Sequence, residues 1–549
     1  MVPDRDDAYP QCRGTRTGAP TAPADPPPQA PPPTDMQTAT APQDTAAPPA
    51  PAPDAVPQQA PAEQAQTEQA MAVTAETFDF DDVVQRAQAL AAKPYEAAPA
   101  LAKPAAQLTY DQYRRIQLAP GAAIWPDGAS GFRILPDPRG YLFEHDVRLN
   151  IVENGKVTPR PYSAADYDFL DLPLPDDVKQ ALGFSGFRVV SPLNRAGKFD
   201  EVISFRGASF FRALGTGNVY GASARALSIG TASPEGEEFP YFTEFWLERP
   251  SEDSSDVRVY ALLDGASVTG ALEFRIEPGP ETLVDVRATF FPRRELDTVG
   301  LAPVTSMYFF SPHDLRKQPG DYRPAVHDSE GLAIHFRNGE WAWRPLINPQ
   351  ALQVSILATE TPRAFGLLQR QRDFDQYADI EAQYDRRPNV WIEPSKDWGA
   401  GQLTLVEIPT ANEYNDNIVT YWRPAAPWKA GQSYDIAYRM HWSLMPPAHA
   451  QVIQVSDTLA GTSLQTGNPL FILDYGAANP ALLDEAKVNL STSAGKIVNS
   501  ITRRNPETGQ IRVSFELDPQ DAQVAELRAL LTISGKPVTE TWLYRWRPS

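Results

Sequence analysis

Beyond residue 125 the chain reads mostly as short runs in which apolar and polar positions alternate, the period-two pattern of half-buried strands. "DVRATFFP" (285–292), "ALQVSILATE" (351–360) and "QIRVSFELDP" (510–519) are such runs. In "YDIAYRMHWSL" the alternation puts Tyr434, Ile436, Tyr438, Met440, Trp442 and Leu444 on one face. Asn154-Gly155, Asp264-Gly265 and Asn338-Gly339 lie between such runs, and these dipeptides favour the positive φ angles of tight hairpins. Helical periodicity is scarce. "FDFDDVVQRAQALAAKPYE" brings Phe80, Val84, Ala87 and Leu90 near one face and is closed by Pro94. "TYDQYRRIQLAPG", with Thr109 as N-cap, and "DDVKQALGF" predict two shorter helices.

Many strands at short spacing with few helices predict an all-β protein. The polar, turn-rich stretch "PTANEYNDN" (409–417) marks a domain boundary. Residues 76–410 are then a large β-sandwich with a cleft on one concave sheet. Residues 411–549, with regular alternation, fit a small immunoglobulin-like sandwich, which needs no cysteine pair. Residues 1–75 form a tail of another character. Of the 55 prolines, 17 fall within residues 1–71, among Ala, Gln and Thr. Such a segment buries too little apolar surface to offset its ordering entropy, so it is expected to be disordered.

Charge and cysteine usage exclude several functions. The net charge of −20 argues against nucleic acid, whose phosphates require clustered cations, and against an anionic membrane surface. Cys12 is the single cysteine, so neither a disulfide framework nor thiolate chemistry follows. The six histidines show no ligand-like spacing, and no metal or other cofactor is expected. No run of about 18 apolar residues is present, so no membrane span is expected. The N-terminus as given lacks the apolar core of an export signal.

Candidate chemistry concentrates in "QRDFDQYADIEAQYDRRPNVWIEP" (371–394) and "NGEWAWRPL" (338–346). Trp341 and Trp343 are two apart and share a strand face, with Arg344 beside them. Rings that cover the apolar face of a sugar, next to polar forks for its hydroxyls, suit carbohydrate; rings packed in a core fit the same pattern. In the longer stretch, Arg372, Asp373, Tyr377, Asp379, Glu381 and Trp391 mix acids, cations and rings. Glycosidic cleavage needs one carboxyl to protonate the leaving oxygen and a base or nucleophile opposite it. A salt-bridged surface loop would carry the same residue types.

Six stretches add a resemblance: "SFRGASFFRALGTGNVYGASARALSI", "FTEFWLERP", "GLAPVTSMYFF", "YRPAVHDSEGLAIHFRNGEWAWRPL", "FGLLQRQRDFDQYADIEAQYDRRPNVWIEP" and "LVEIPTANEYNDNIVTYW". From about Phe78 to the C-terminus the chain resembles the periplasmic glucan biosynthesis protein G/D family. The resemblance implies a large sandwich of galactose-mutarotase type followed by an immunoglobulin-like domain. It also implies a periplasmic role in making osmoregulated glucans, with β-1,2-glucan as ligand and the glucan synthase machinery of the inner membrane as partner. Some members of the family cut or transfer such glucans; a non-catalytic assembly factor is the alternative. The implied general acid falls on Asp379, with Glu381 as the alternative. Arg372, Asp373, Tyr377, Trp341, Trp343, Arg344 and Trp391 are the expected substrate contacts. A second acid is implied near "FFPRRELDTVGLAP", where Glu295 and Asp297 stand.

Overall fold

The computed structural model describes residues 77–315, 320–445, 452–476 and 485–548. The expected disordered tail, residues 1–75, lies outside them. Among the described residues the strands form two large sheets, of ten and fifteen strands, a third of four and two small ones of two. No helix among them is long and apolar enough to cross a membrane.

The two large sheets pack face to face. Phe187, Phe205 and Phe211 of the first interleave with Phe242, Phe245 and Phe274 of the second. The three hairpins read from Asn-Gly and Asp-Gly are present, with pairs Glu153↔Lys156, Asp264↔Thr269 and His335↔Trp341 beside their turns. The first helix spans Phe80–Ala91, starts at an Asp79 capping box with Asp82, and buries Phe80, Val83 and Ala87. It covers the outer face of the second sheet, against Trp246, Tyr260 and Leu262. The two shorter helices are Tyr110–Tyr113, capped by Thr109, and Asp176–Gln180.

The domain boundary differs from the expectation at 410/411. The strand Ile418–Pro424 pairs with Val299–Ser306 and Ala400–Glu407 inside the first sheet. Tyr434–Ser443 pairs with Glu281–Pro292 and Asn389–Pro394 inside the second. The turn-rich break at 409–417 is a connection within the large sandwich, and the small one begins after it, from residue 452. Short turns with alternating strands on both sides look alike whether the next strand returns to the same sheet or starts a new domain.

The second sheet also runs on into the small sandwich. Trp341–Pro345 pairs in parallel with Thr541–Trp546, aligning Trp343 with Trp542. Along Trp341–Pro345 the side chains alternate. Ala342 faces the core between the two large sheets. Trp341 and Trp343 face a second core, shared with Phe471, Phe515, Leu527 and Trp542 of the small sandwich.

Candidate active site

The strands Ala364–Leu368 and Asn389–Pro394 are antiparallel neighbours. Two to five residues would join them, yet residues 369–388 intervene, and loops this long in a compact domain are usually functional. The loop is rooted by its rings. Tyr377 and Tyr384 are fully buried against Met307, Phe310, Ala325 and Val326. The Tyr377 hydroxyl donates to the Gln371 carbonyl at 3.1 Å. Thus Tyr377 and Tyr384 anchor the stretch; of the two acids between them, Asp379 is buried and Glu381 is exposed.

Asp379 sits between the two rings and is 6% exposed. Its Oδ1 accepts the backbone N–H groups of Glu381 (3.0 Å) and Ala382 (2.7 Å). Its Oδ2 accepts Nη1 of Arg323 at 3.0 Å. Ala378 and Gln383, on either side, have φ of 54° and 50°. Left-handed backbone at residues with a Cβ is strained, and such strain persists where surrounding contacts over-determine the conformation.

Arg323 gathers three loops. It grips Asp321 through Nε and Nη2 at 3.0 and 2.8 Å. The same Nη1 that meets Asp379 lies 2.7 Å from Glu413, whose carboxylate also accepts the Tyr384 hydroxyl at 3.1 Å. Hydrogen bonds to these carboxylates, led by Asp321, push the Arg323 guanidinium well above its ordinary pKa. Arg323 in turn holds Asp321 below the usual carboxylate range. Three carboxylates against one guanidinium leave the cluster net negative, which disfavours anionic ligands. Three large exposed apolar side chains adjoin it as sequence neighbours of Arg323, Glu413 and Asp379: Tyr322 (74%), Tyr414 (63%) and Ile380.

The other expected site residues are placed differently. Glu381 and Asp373 are exposed on the loop. Arg372 braces the loop from within, donating through Nη1 to the carbonyls of Asp385 (2.9 Å) and Arg387 (2.5 Å). Burial pulls its pKa down to about 10. Trp341, Trp343 and Trp391 are not brought to the loop surface. They lie in the second core, where Trp341 stacks on Trp391 at 5.6 Å. Their ring faces are covered by protein, which corrects the expectation that they bind substrate. The shared strand face read from the sequence holds; that face meets the small sandwich rather than an open cleft. Arg344 is buried with Glu407, its Nη2 3.2 Å from Oε2. Tyr377 is likewise a buried anchor.

The implied second acid is not joined to Asp379. Glu295 and Asp297 are exposed. Their neighbour Arg293 binds Asp264 and the carbonyls of Leu90 and Lys93. Among the described residues no contact links this turn to the Asp379 cluster. Sequence reading missed Asp321, Arg323 and Glu413. "YRPAVHD" and "TANEYNDN" contain two of them and stood among the quoted stretches, but nothing in their spacing shows that one arginine joins them. A separate cleft of about 450 Å³ opens at the junction of the sandwiches, lined by Ile347, Gln353, Gln523, Tyr544 and Arg545. No member of the Asp379 cluster lines it.

Comparison with known proteins matches residues 78–546 to the family described as periplasmic glucan biosynthesis protein, MdoG. A glucans biosynthesis protein G of Vibrio cholerae serotype O1 is 45% identical over 481 residues, covering 86% of this chain and 87% of its own. Glucans biosynthesis protein G 1 of Shewanella oneidensis is 46% identical over 485 residues, with the same coverage of both chains. Among solved structures, a GH36 α-galactosidase of Geobacillus stearothermophilus aligns over 47% of this chain and 39% of its own, at 10% identity and a TM-score of 0.25. So slight a likeness bears on neither fold nor function.

Proposed function

This chain belongs to the MdoG family of periplasmic glucan biosynthesis proteins, and from that premise we propose that it acts in the periplasm on a β-1,2-linked glucan backbone, cutting or transferring the chain internally at Asp379. One observation carries the reading. Asp379 and Glu413 meet on a single nitrogen of Arg323, at the tips of loops that also present Tyr322 and Tyr414 to solvent. Carboxylates for hydroxyls and for proton transfer, beside ring faces for the C–H face of glucose, are what a neutral polysaccharide requires.

In this reading Asp379 is the general acid. It gives its proton to the glycosidic oxygen as the C1–O bond breaks, and the sugar passes through an oxocarbenium-like state. Water then attacks C1 in hydrolysis, or a glucose hydroxyl attacks it in transfer, and in each case the attacking group loses a proton to a base. The hydrogen bonds at Asp379 are ones that it accepts. Donation therefore requires Arg323 to leave Oδ2. Asp321 and Glu413 remain to hold the guanidinium when it does, and a substrate hydroxyl takes the vacated place.

The same observation favours a second reading, glucan binding without turnover, in which Arg323 stays on Asp379 throughout. Incubation with linear β-1,2-glucan followed by product sizing separates the two. Shorter chains or rings support the enzyme. Unchanged polymer with measurable binding supports the assembly factor. Neither binding nor turnover overturns both.

A further inference from the structure

We infer that the small C-terminal sandwich is a clamp that positions the Asp379 loop, acting through Arg370 and Gln371, with Glu540 and Asp457 as positioning residues. The loop leaves its strand at Leu368. Two residues later Arg370 crosses to the small sandwich. It forms a two-pronged pair with Glu540, at 2.5 and 2.9 Å, and donates to the Val455 carbonyl at 3.0 Å. Glu540 is fully buried and also accepts the Val455 N–H at 2.7 Å. The guanidinium carbon lies over Trp343, 3.6 Å from the ring centre. Gln371 follows, and its Nε2 donates to the Ser456 carbonyl (3.0 Å) and to Asp457 Oδ1 (2.9 Å).

The path from there to Asp379 is short. The Gln371 carbonyl accepts the Tyr377 hydroxyl, and Tyr377 stands two residues before Asp379. Glu330 fastens the same stem from the large sandwich, accepting the N–H groups of Arg370 and Gln371 at 3.2 Å each. Gln369 ties the start of the loop to its return, donating to the Tyr384 carbonyl at 3.0 Å.

Energetics favour a positioning role. A buried ion pair is often no more stabilising than an apolar pair of the same volume, because both ions must be desolvated. What Arg370–Glu540 adds is direction: a planar fork admits one docking geometry. A proton donor misplaced by about 1 Å can lose on the order of 10²-fold in rate, so a fixed stem matters more to turnover than to folding.

This inference rests on the reading that the Asp379 loop is the active site, so its test has a readout independent of turnover. Glu540→Gln and Asp457→Ala are compared with the wild-type full chain by amide hydrogen exchange over residues 374–387, and by kcat and KM on linear β-1,2-glucan. The expected result is exchange faster by about tenfold in that loop, with kcat lower by roughly 10–100-fold and KM near the wild-type value. Asp457→Asn, which keeps an acceptor for Gln371, restores wild-type exchange. If Glu540→Gln fails to fold, Asp457→Ala decides. Unchanged loop exchange in a folded variant overturns the clamp, whatever the kinetics. Wild-type protein without turnover overturns the enzymatic reading and leaves the exchange arm to judge the clamp.

Discussion

The residue scale separates side chains that look alike in the sequence. Asp379 and Glu381 are two apart in one acidic run, but Asp379 is buried on two backbone N–H groups and Arg323, whereas Glu381 is exposed. Asn can still accept both N–H bonds through its amide oxygen but has no proton to give. Asp379→Asn is therefore expected to keep fold and glucan affinity, and to lose about 10²–10⁴ in turnover. Glu381→Gln should stay close to wild type; the opposite order in a rate assay reassigns the acid. Rings divide in the same way. Tyr414→Ala and Tyr322→Ala should each weaken glucan binding by roughly 1 kcal/mol with little change in melting temperature. Trp343→Ala removes a core ring and should cost about 3–5 kcal/mol of stability. Binding titration beside chemical denaturation tests both halves. Period two correctly predicted that Trp341 and Trp343 share a face. It carried no information on what covers that face, because an open cleft and a second core demand the same alternation.

Elements show where local pattern was enough. Hairpins at Asn154-Gly155, Asp264-Gly265 and Asn338-Gly339, and the capped start at Thr109, depend on neighbours a few residues away, and these were legible. The meeting of residues 320–325, 369–388 and 409–417 depends on sheet order and was not. The stem of the Asp379 loop adds a pH signature. Burial pushes the Glu330 carboxyl up to about 7, although Arg370 pulls the other way. Above the unfolded pKa of about 4.5 the unfolded chain has lost this proton while the folded chain still holds it. Stability from this group is thus complete below about pH 4.5 and is lost as pH rises through about 7, an effect of about 3 kcal/mol. Glu330→Gln mimics the protonated carboxyl and keeps an acceptor for the two N–H groups. Its melting temperature relative to wild type should rise between pH 5 and pH 8. A constant difference across that range would mean that Glu330 is ionised in the folded protein at both values.

At the scale of the whole molecule the two sandwiches share strands and a core, so no cut in the sequence separates them cleanly. Ending the chain at residue 410, where the polar break suggests a boundary, removes Ile418–Pro424 and Tyr434–Ser443 from within the two large sheets. Both sheets then lose an interior strand, and the core between them is opened to water. Ending it at residue 445 keeps both strands but uncovers Trp341, Trp343 and Trp391, leaves Arg370 without Glu540, and frees the edge that Thr541–Trp546 pairs with. A contiguous apolar patch beside an unpaired strand edge promotes association between chains. The expected order of soluble yield is full chain, then the chain ending at 445, then the chain ending at 410, with the last showing no cooperative thermal transition. The chain ending at 445 should aggregate at concentrations where the full chain is monodisperse by light scattering. A monodisperse, cooperatively melting product ending at 445 would mean that the large sandwich stands alone. The small sandwich would then be an appendage, its contacts with Arg370 and Gln371 dispensable to the loop they hold.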